Sequence, residues 1–488
     1  MKYHLLTLTF LFLGSFSSFG QNETDLFRYS RSTFLGSARY EAMGGSFGAL
    51  GADVSSSLVN PAGYGRFSTS QMGLSIFGGA STAKSTFNES TVKATQGLGG
   101  ISNFAIVLTE DRTANGKGVL YRQLGFGVNR VENYASKIHY TGSQYASILD
   151  VMTSQANGFY PNELNSYFPF STFLAYESYA INFDPSTNTY YSLLNDRDVI
   201  HDRTIASKGG QTEFFASYSL NYLNKLYFGT NIGFRYQNYQ EDFTHTETLT
   251  DTSGTPLRSF TYTNELSTKG WGANIKIGAI YLFSEAFRVG LAIHSPTYSE
   301  LTDNWAANMS ATFDDSVKTI AETLIPTGTY KYKIRNPWRF VGSMAYVFGT
   351  RGCINIDAEF LDYRMSKFKS TKDQEFVPYD YAIENEQAKQ QFVPAVNLRI
   401  GGEYILMSSL YLRAGFQYIG KAFNKTMQVE NSADYVFSGG IGVKTQSFQC
   451  DLAIKHRMAS KNYYAFSGSE TVITQNSTLG VLSLGVFF

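Results

Sequence analysis

A set of charged side chains recurs in phase along the chain: Glu213, Arg235, Lys276, Arg288, Arg339, Asp357, Glu359, Arg399, Glu403, Arg413, Lys444 and Lys455. Both signs are present. On one shared face they form a mixed network that neutralises itself and pins whatever packs against it. The chemistry beyond that is recognition of an anion. A charge-assisted hydrogen bond in a partly dry cavity is stronger than in water. Arg235, Lys276, Arg288, Arg339, Arg399 and Arg413 are therefore candidates to hold an amphiphile's head group, and the sequence does not choose among them. Catalytic signatures are absent: there is no Gly-x-Ser-x-Gly elbow and no His-Glu-x-x-His zinc motif. His294 stands beside Ser295 without an acid in phase, and reads as a polar lining residue. Gly439 to Thr445 is glycine-rich like a phosphate loop, but it lacks the spacing and leads into a strand. With 6 histidines and 2 cysteines, no metal centre, cofactor or enzyme activity is expected. Cys353 and Cys450 fall on different predicted strands; a disulfide is open to them in an oxidising compartment, but two isolated buried thiols are expected.

The elements that position these charges are strands. The chain has 488 residues, 40 basic against 40 acidic, and only 16% charged, below a soluble norm of roughly 25%. Aromatics reach 16%, with 44 glycines and 10 prolines. There is no basic excess for nucleic acid and too much aromatic content for disorder. After the first 20 positions no apolar run approaches the roughly 20 residues of a membrane helix. Period-two alternation is frequent instead. Leu226, Phe228, Thr230, Ile232 and Phe234 alternate with Tyr227, Gly229, Asn231, Gly233 and Arg235. Trp271 to Tyr281, Arg288 to His294, Ile354 to Phe360, Leu398 to Tyr404 and Leu410 to Phe416 behave alike. One face is apolar and ends in aromatics; the other carries glycines and charges. That pattern fits a membrane barrel better than a soluble sandwich. The chain also ends on an in-phase strand, Leu482, Leu484, Val486 and Phe488.

Short turns pair neighbouring strands at Asn115-Gly116, Asn224-Lys225, Ser284 to Ala286, Gly349 to Gly352, Met407 to Ser409 and Gln446-Ser447. With strands 71–80 and 477–488 closing the ring, fourteen strands result, and the even number places both ends on the periplasmic side. By parity, the strand-like segment 303–313 is assigned to an extracellular loop. The opposite connections are expected to be long: 81–98, 133–210, 240–267, 296–337, 363–393, 420–433 and 458–476. Two hold helix patterns. One is Tyr145, Ile148, Leu149 and Met152. The other is Val317, Ile320, Ala321 and Leu324 after an Asp314-Asp315 cap. These helices read as a lid core or as a greasy capture groove.

At the N-terminus, Lys2 and His4, the run Leu5 to Leu13, and Ser18-Phe19-Gly20 predict a signal peptide over 1–20. No cysteine follows to anchor lipid. Residues 21–70 do not read as strand. A fourteen-strand lumen is too wide for wall side chains to fill, so this glycine-rich segment is expected to fold inside as a plug, with the barrel occupying 71–488.

From Met43-Gly44-Gly45-Ser46-Phe47-Gly48-Ala49 to Asn60-Pro61-Ala62-Gly63, the chain resembles the FadL/TodX-type outer-membrane transporters of hydrophobic compounds. Pro337-Trp338-Arg339-Phe340 and Arg399-Ile400-Gly401-Gly402-Glu403-Tyr404 look like strands of that family. The resemblance implies an all-β, fourteen-stranded antiparallel barrel in the bacterial outer membrane, with a lumenal hatch. It implies a gate near Phe47, Leu50, Asn60, Pro61, Ala62 and Gly63, and a lateral exit at a kink in the third strand, where Gly125, Gly127 and Asn129 are candidates. The expected function is passive uptake of hydrophobic or amphipathic molecules such as long-chain fatty acids. The expected surroundings are outer-membrane lipid and lipopolysaccharide, with no nucleic acid, a monomeric state, and loops able to meet a protein partner. A non-conducting barrel serving a secretion assembly and a haem or other hydrophobe receptor remain as alternatives.

Overall fold

The computed structural model describes residues 23–115, 118–194, 197–371, 379–424 and 432–488. The expected signal peptide, and Gly116 of the first turn, lie outside the described residues. Fourteen antiparallel strands close into a barrel. They are β1 Gln71–Phe87, β2 Ser90–Asp111, β3 Val119–Asn133 continued by Ser136–Gln144, β4 Val199–Tyr222, β5 Leu226–Leu249 and β6 Leu257–Leu282. Then come β7 Phe287–His294 with Tyr298–Phe313, β8 Thr327–Arg335 with Arg339–Val347, and β9 Gly352–Asp362 with Lys367–Ser370. The ring ends with β10 Pro394–Met407, β11 Leu410–Ile419, β12 Asp434–Lys444, β13 Phe448–Tyr464 and β14 Glu470–Phe487. β14 returns to β1 in an unbroken ladder from Gln71–Phe487 to Phe87–Thr471.

The expected inward and outward phases hold. On β5, Phe228, Ile232 and Phe234 are exposed while Tyr227, Asn231 and Arg235 are buried. Tyr236 ends that apolar band, and the outward positions above it are Asn238, Gln240, Asp242 and Thr244. A spanning strand needs only about 9–11 residues, so the upper half of this 24-residue strand stands clear of lipid.

That height corrects the expected connections. β1 and β2 run on to a tight turn at Asn88-Glu89, so no loop spans 81–98. The long connection after β3 is 145–198, not 133–210, and the one after β5 is 250–256, not 240–267. Segment 303–313 is not loop: it continues β7, paired with β6 and β8. The strand count survives because Pro296 interrupts β7 and Pro337 interrupts β8 at facing positions, each removing a ladder donor; Asn336 N bridges the gap to Thr297 O at 3.0 Å. The turn between β4 and β5 is centred on Leu223 and Asn224, both at positive φ, the type I′ geometry of tight hairpins.

The second expected lid helix is absent. Val317–Thr319 pairs back onto Ser310–Thr312 as a short extended stub, followed by one 3₁₀ turn at Glu322–Leu324. β-Branched Val317 and Thr319 fit that pairing, and Asp314 is engaged with Arg258 rather than capping a helix. The first expected helix is present as α3, Ile148–Ala156, with a Ser147–Asp150 capping box. Cys353 and Cys450 are both free thiols, Cys353 buried and Cys450 only half-buried.

Candidate ligand path through the barrel

Residues 23–70 lie against inward-facing wall side chains. They comprise α1 (Glu23–Ser30), α2 (Ala38–Ala42) and two 3₁₀ helices, Ser56–Leu58 and Pro61–Arg66. Asn60 caps the second of these: its Oδ1 accepts from Ala62 N at 3.0 Å. Its Nδ2 donates to Gly48 O at 2.7 Å and reaches wall carbonyls of Ala279 and Leu291 at 3.2 and 3.4 Å. A Cβ on Gly278 would sit 1.9 Å from Asn60 Oδ1, and one on Gly229 would sit 2.3 Å from the Pro61 carbonyl carbon. These wall glycines let the segment approach the backbone. Ala62 is buried with Tyr227 and Ile280; Gly63 packs on Ser56 and Gly51. Phe47 stacks on Tyr40, and its backbone N–H donates to Asp357 at 3.0 Å. Leu50 joins the same apolar cluster. Within the segment, burial raises the Asp53 carboxyl above its usual value, opposed by Arg39 and by hydrogen bonds from Ser55 and Ser37.

Five of the six candidate cations are already paired. Arg235 and Lys276 share Glu213. Arg339 and Arg399 share Glu359 at 3.4 and 3.1 Å. Arg413 meets Glu403 and Asp451, each at 2.7 Å. Arg288 has no ion pair among the described residues, and its Nε has no hydrogen-bond partner. The N-terminal segment joins this network through Arg39–Glu403, Glu41–Lys455 and Arg31–Asp434, at 2.9, 2.8 and 2.6 Å.

The wall is not hydrogen-bonded throughout. β2 and β3 pair from Asp111–Tyr121 up to Asn103–Asn129, and there the ladder stops. Asn103 Nδ2 donates to Asn129 Oδ1 at 2.6 Å at that last rung. Above it, among the barrel strands of the described residues, β2 pairs only with β1 and β3 only with β4. A register shift between Arg130 and Glu132 against β4 marks a bulge, the device that bends a strand away from its neighbour. The upper part of β3 then runs inside the wall, with Gly142 against Phe87 and Ile138 clustered with Ala83 and Ile473. Gly125 and Gly127 lie below the break, in the paired region. A Cβ on Gly125 would meet the Tyr64 ring at 2.3 Å, and one on Gly127 would meet Phe104 O at 2.3 Å.

The free edge of β3 has a partner. Thr33 N and Phe34 N donate to Val131 O at 3.2 and 2.9 Å, and Leu35 N donates to Arg130 O at 2.8 Å. Glu132 accepts from Thr33 N and Oγ1, both at 3.1 Å. Beside this contact lies a cavity of about 80 Å³, lined by Thr33, Leu35, Leu98, Glu132, Lys455 and Arg457 among others. At roughly 10–15 Å³ per water, it has room for several waters or a short chain segment. Thr33 to Leu35 carry no signal in the sequence, because three paired residues are too few for a periodicity.

Two apolar zones stand above. The upper lumen holds Leu26, Tyr29, Tyr239, Tyr332, Tyr363 and Phe392, closed by α6, Ala382–Gln391. The long connection folds as α3, α4 (Leu164–Tyr167), α5 (Thr172–Glu177) and a small hairpin. Ile148, Leu149, Met152 and Ile320 are buried in its core, whereas Tyr145 is 76% exposed and Val317 and Leu324 are also exposed. The structure thus brings together only part of the expected capture set.

A family model described as outer membrane protein transport protein (OMPP1/FadL/TodX) matches residues 205–481. Among solved structures, the Pseudomonas putida toluene transporter TodX is similar at 12% identity and a TM-score of 0.52, covering 93% of this chain and 98% of that one. A Pseudomonas aeruginosa FadL homologue is similar at 12% identity and a TM-score of 0.55, with the same coverage of 93% and 98%. At such identities the likeness is one of fold. No curated protein matches the chain in sequence.

Proposed function

Because the chain belongs to the OMPP1/FadL/TodX family of outer-membrane transport proteins, we propose that it carries hydrophobic or amphipathic small molecules, long-chain fatty acids among them, passively inward across the outer membrane. The observation that supports the route is the end of the β2–β3 ladder at Asn103–Asn129, with the β3 edge above it held by Thr33 to Leu35. In this reading the lid captures the molecule and the aromatic zone around Tyr29 and Tyr332 holds its tail. Withdrawal of Thr33 to Leu35 then opens the side of the barrel. The ion pairs Arg39–Glu403, Glu41–Lys455 and Arg31–Asp434 fasten the N-terminal segment to the wall. Of the earlier head-group candidates Arg288 keeps an unshared charge, while Lys455 and Arg457 line the cavity at the break.

The test is uptake. Cells without a transporter of this class, expressing this chain, should accumulate a labelled long-chain fatty acid faster than cells with an empty vector, with no gain for a hydrophilic solute of similar mass. Equal fatty-acid uptake in the two strains contradicts the reading. A second reading has its own observation: Tyr145, Tyr160, Tyr167, Tyr179 and Tyr191 are exposed on the lid, a composition suited to a protein partner. Stoichiometric co-purification of one protein, lost on lid deletion, would favour it.

A further inference from the structure

Where β4 and β5 rise above the lipid band, two buried histidines and a buried glutamate converge. His201 lies on β4, and His245 and Glu247 on β5; all three are inaccessible to solvent, and their ligating atoms lie within 4.8 Å of one another. Glu247 Oε1 is 2.9 Å from His245 Nε2 and 3.4 Å from His201 Nδ1. Zinc bonds of about 2.0–2.2 Å in a tetrahedron put neighbouring ligand atoms roughly 3.3–3.6 Å apart, so modest adjustment brings these atoms around one ion.

Two further features match a ligand set. His201 Nε2 donates to Ala146 O at 2.9 Å, which leaves Nδ1 as the ring's lone-pair nitrogen. That Nδ1 is buried without a hydrogen-bond partner, as is His245 Nδ1. A ring N–H fixed by a backbone carbonyl is the usual second shell of a metal-bound histidine. The carboxylate is oriented too: Ser147 Oγ donates to its Oε2, and Ile148 N donates to Oε1 at 2.9 Å. Arg203 lies on the same strand face, its guanidinium 4.0 Å over the Phe243 ring, and it weakens the pull on a cation that Glu247 supplies.

We propose that His201 Nδ1, His245 Nε2 and Glu247 Oε1 form a site for a divalent transition metal. Two imidazoles and one carboxylate suit zinc or its neighbours better than calcium or magnesium, which prefer oxygen alone. On binding, the His245 proton moves from Nε2 to Nδ1 and the His245–Glu247 hydrogen bond gives way to two metal bonds. The ion ties β4 to β5. Through Glu247, Ser147, Ile148 and Ala146 it also fixes the start of α3, so metal binding staples the lid to the barrel.

The full-length barrel in detergent is dialysed against Zn²⁺, washed and analysed for bound metal. One zinc per chain is expected for the wild type and for the control His139→Gln, and none for His245→Gln. Ser147→Ala keeps all three ligands and frees one carboxylate oxygen, so it should bind roughly 10–100-fold more weakly. Co²⁺ should give the wild type the strong visible bands of a low-symmetry imidazole–carboxylate site, a readout that does not depend on any variant folding. Zinc should also slow protease cutting within 145–198. A wild type that retains no zinc and shows no such cobalt bands overturns the proposal, as does a folded His245→Gln that retains as much zinc as the wild type.

Discussion

Asn60 shows how much one side chain carries. Its amide caps a 3₁₀ helix, holds Gly48 O and reaches two wall carbonyls. An alanine leaves buried acceptors without a donor, at about 1–3 kcal/mol each. Asn60→Ala should therefore insert as a heat-modifiable barrel whose residues 21–70 are cut faster by protease; a cutting rate equal to the wild type's would contradict the assigned role. The charged positions were legible by phase alone, since Glu213, Lys276, Arg399 and Arg413 all sit on the inward side of clear alternations. Their partners were not. Lys276 meets Glu213 across 63 positions, and nothing local in a sequence says which acid a lumenal cation will choose.

At the scale of elements, alternation is readable only where the two faces meet different solvents. On β5 from Leu226 to Tyr236 lipid lies on one side and packed lumen on the other, and the strand is plain. From Asn238 upward the outer face meets water, both faces tolerate polar residues, and the contrast fades. The strands therefore looked short and the loops long. The same contrast of solvents sets where charge is costly. Phe228 and Ile277 are 45% and 61% exposed on the outer face. Phe228→Arg or Ile277→Arg should destabilise the folded barrel by about 2–4 kcal/mol near the midplane, measured by equilibrium unfolding in lipid vesicles. Asn238→Arg, above the band, should cost little, and equal losses at all three positions would mean the band is misplaced. The third-strand bend follows the same logic. Of the expected positions Gly125, Gly127 and Asn129, the two glycines admit Tyr64 and the β2 backbone, Asn129 forms the last β2–β3 rung, and the bulge lies just above it, between Arg130 and Glu132.

For the whole molecule, the barrel, its N-terminal segment and its lid form a vertical series. A buried apolar lid core lies above an aromatic zone, which lies above a segment pinned to the wall by Arg39–Glu403 and Glu41–Lys455. Removing one member of a buried pair costs about 3–5 kcal/mol, so the pinned base is unsuited to move as a whole. The contact at Thr33 to Leu35 is lighter: three backbone hydrogen bonds and one carboxylate, at the place where the wall's own ladder has ended. In the proposed route, that contrast makes it the part that moves. The most direct test is a short thiol cross-link between cysteines at Leu35→Cys and Arg130→Cys, in a chain with Cys353→Ala and Cys450→Ala, read by fatty-acid uptake in intact cells. Cross-linking should abolish uptake, the uncross-linked double variant should transport, and heat-modifiability should show both to be folded. Undiminished uptake through the cross-linked barrel would contradict lateral release at this edge.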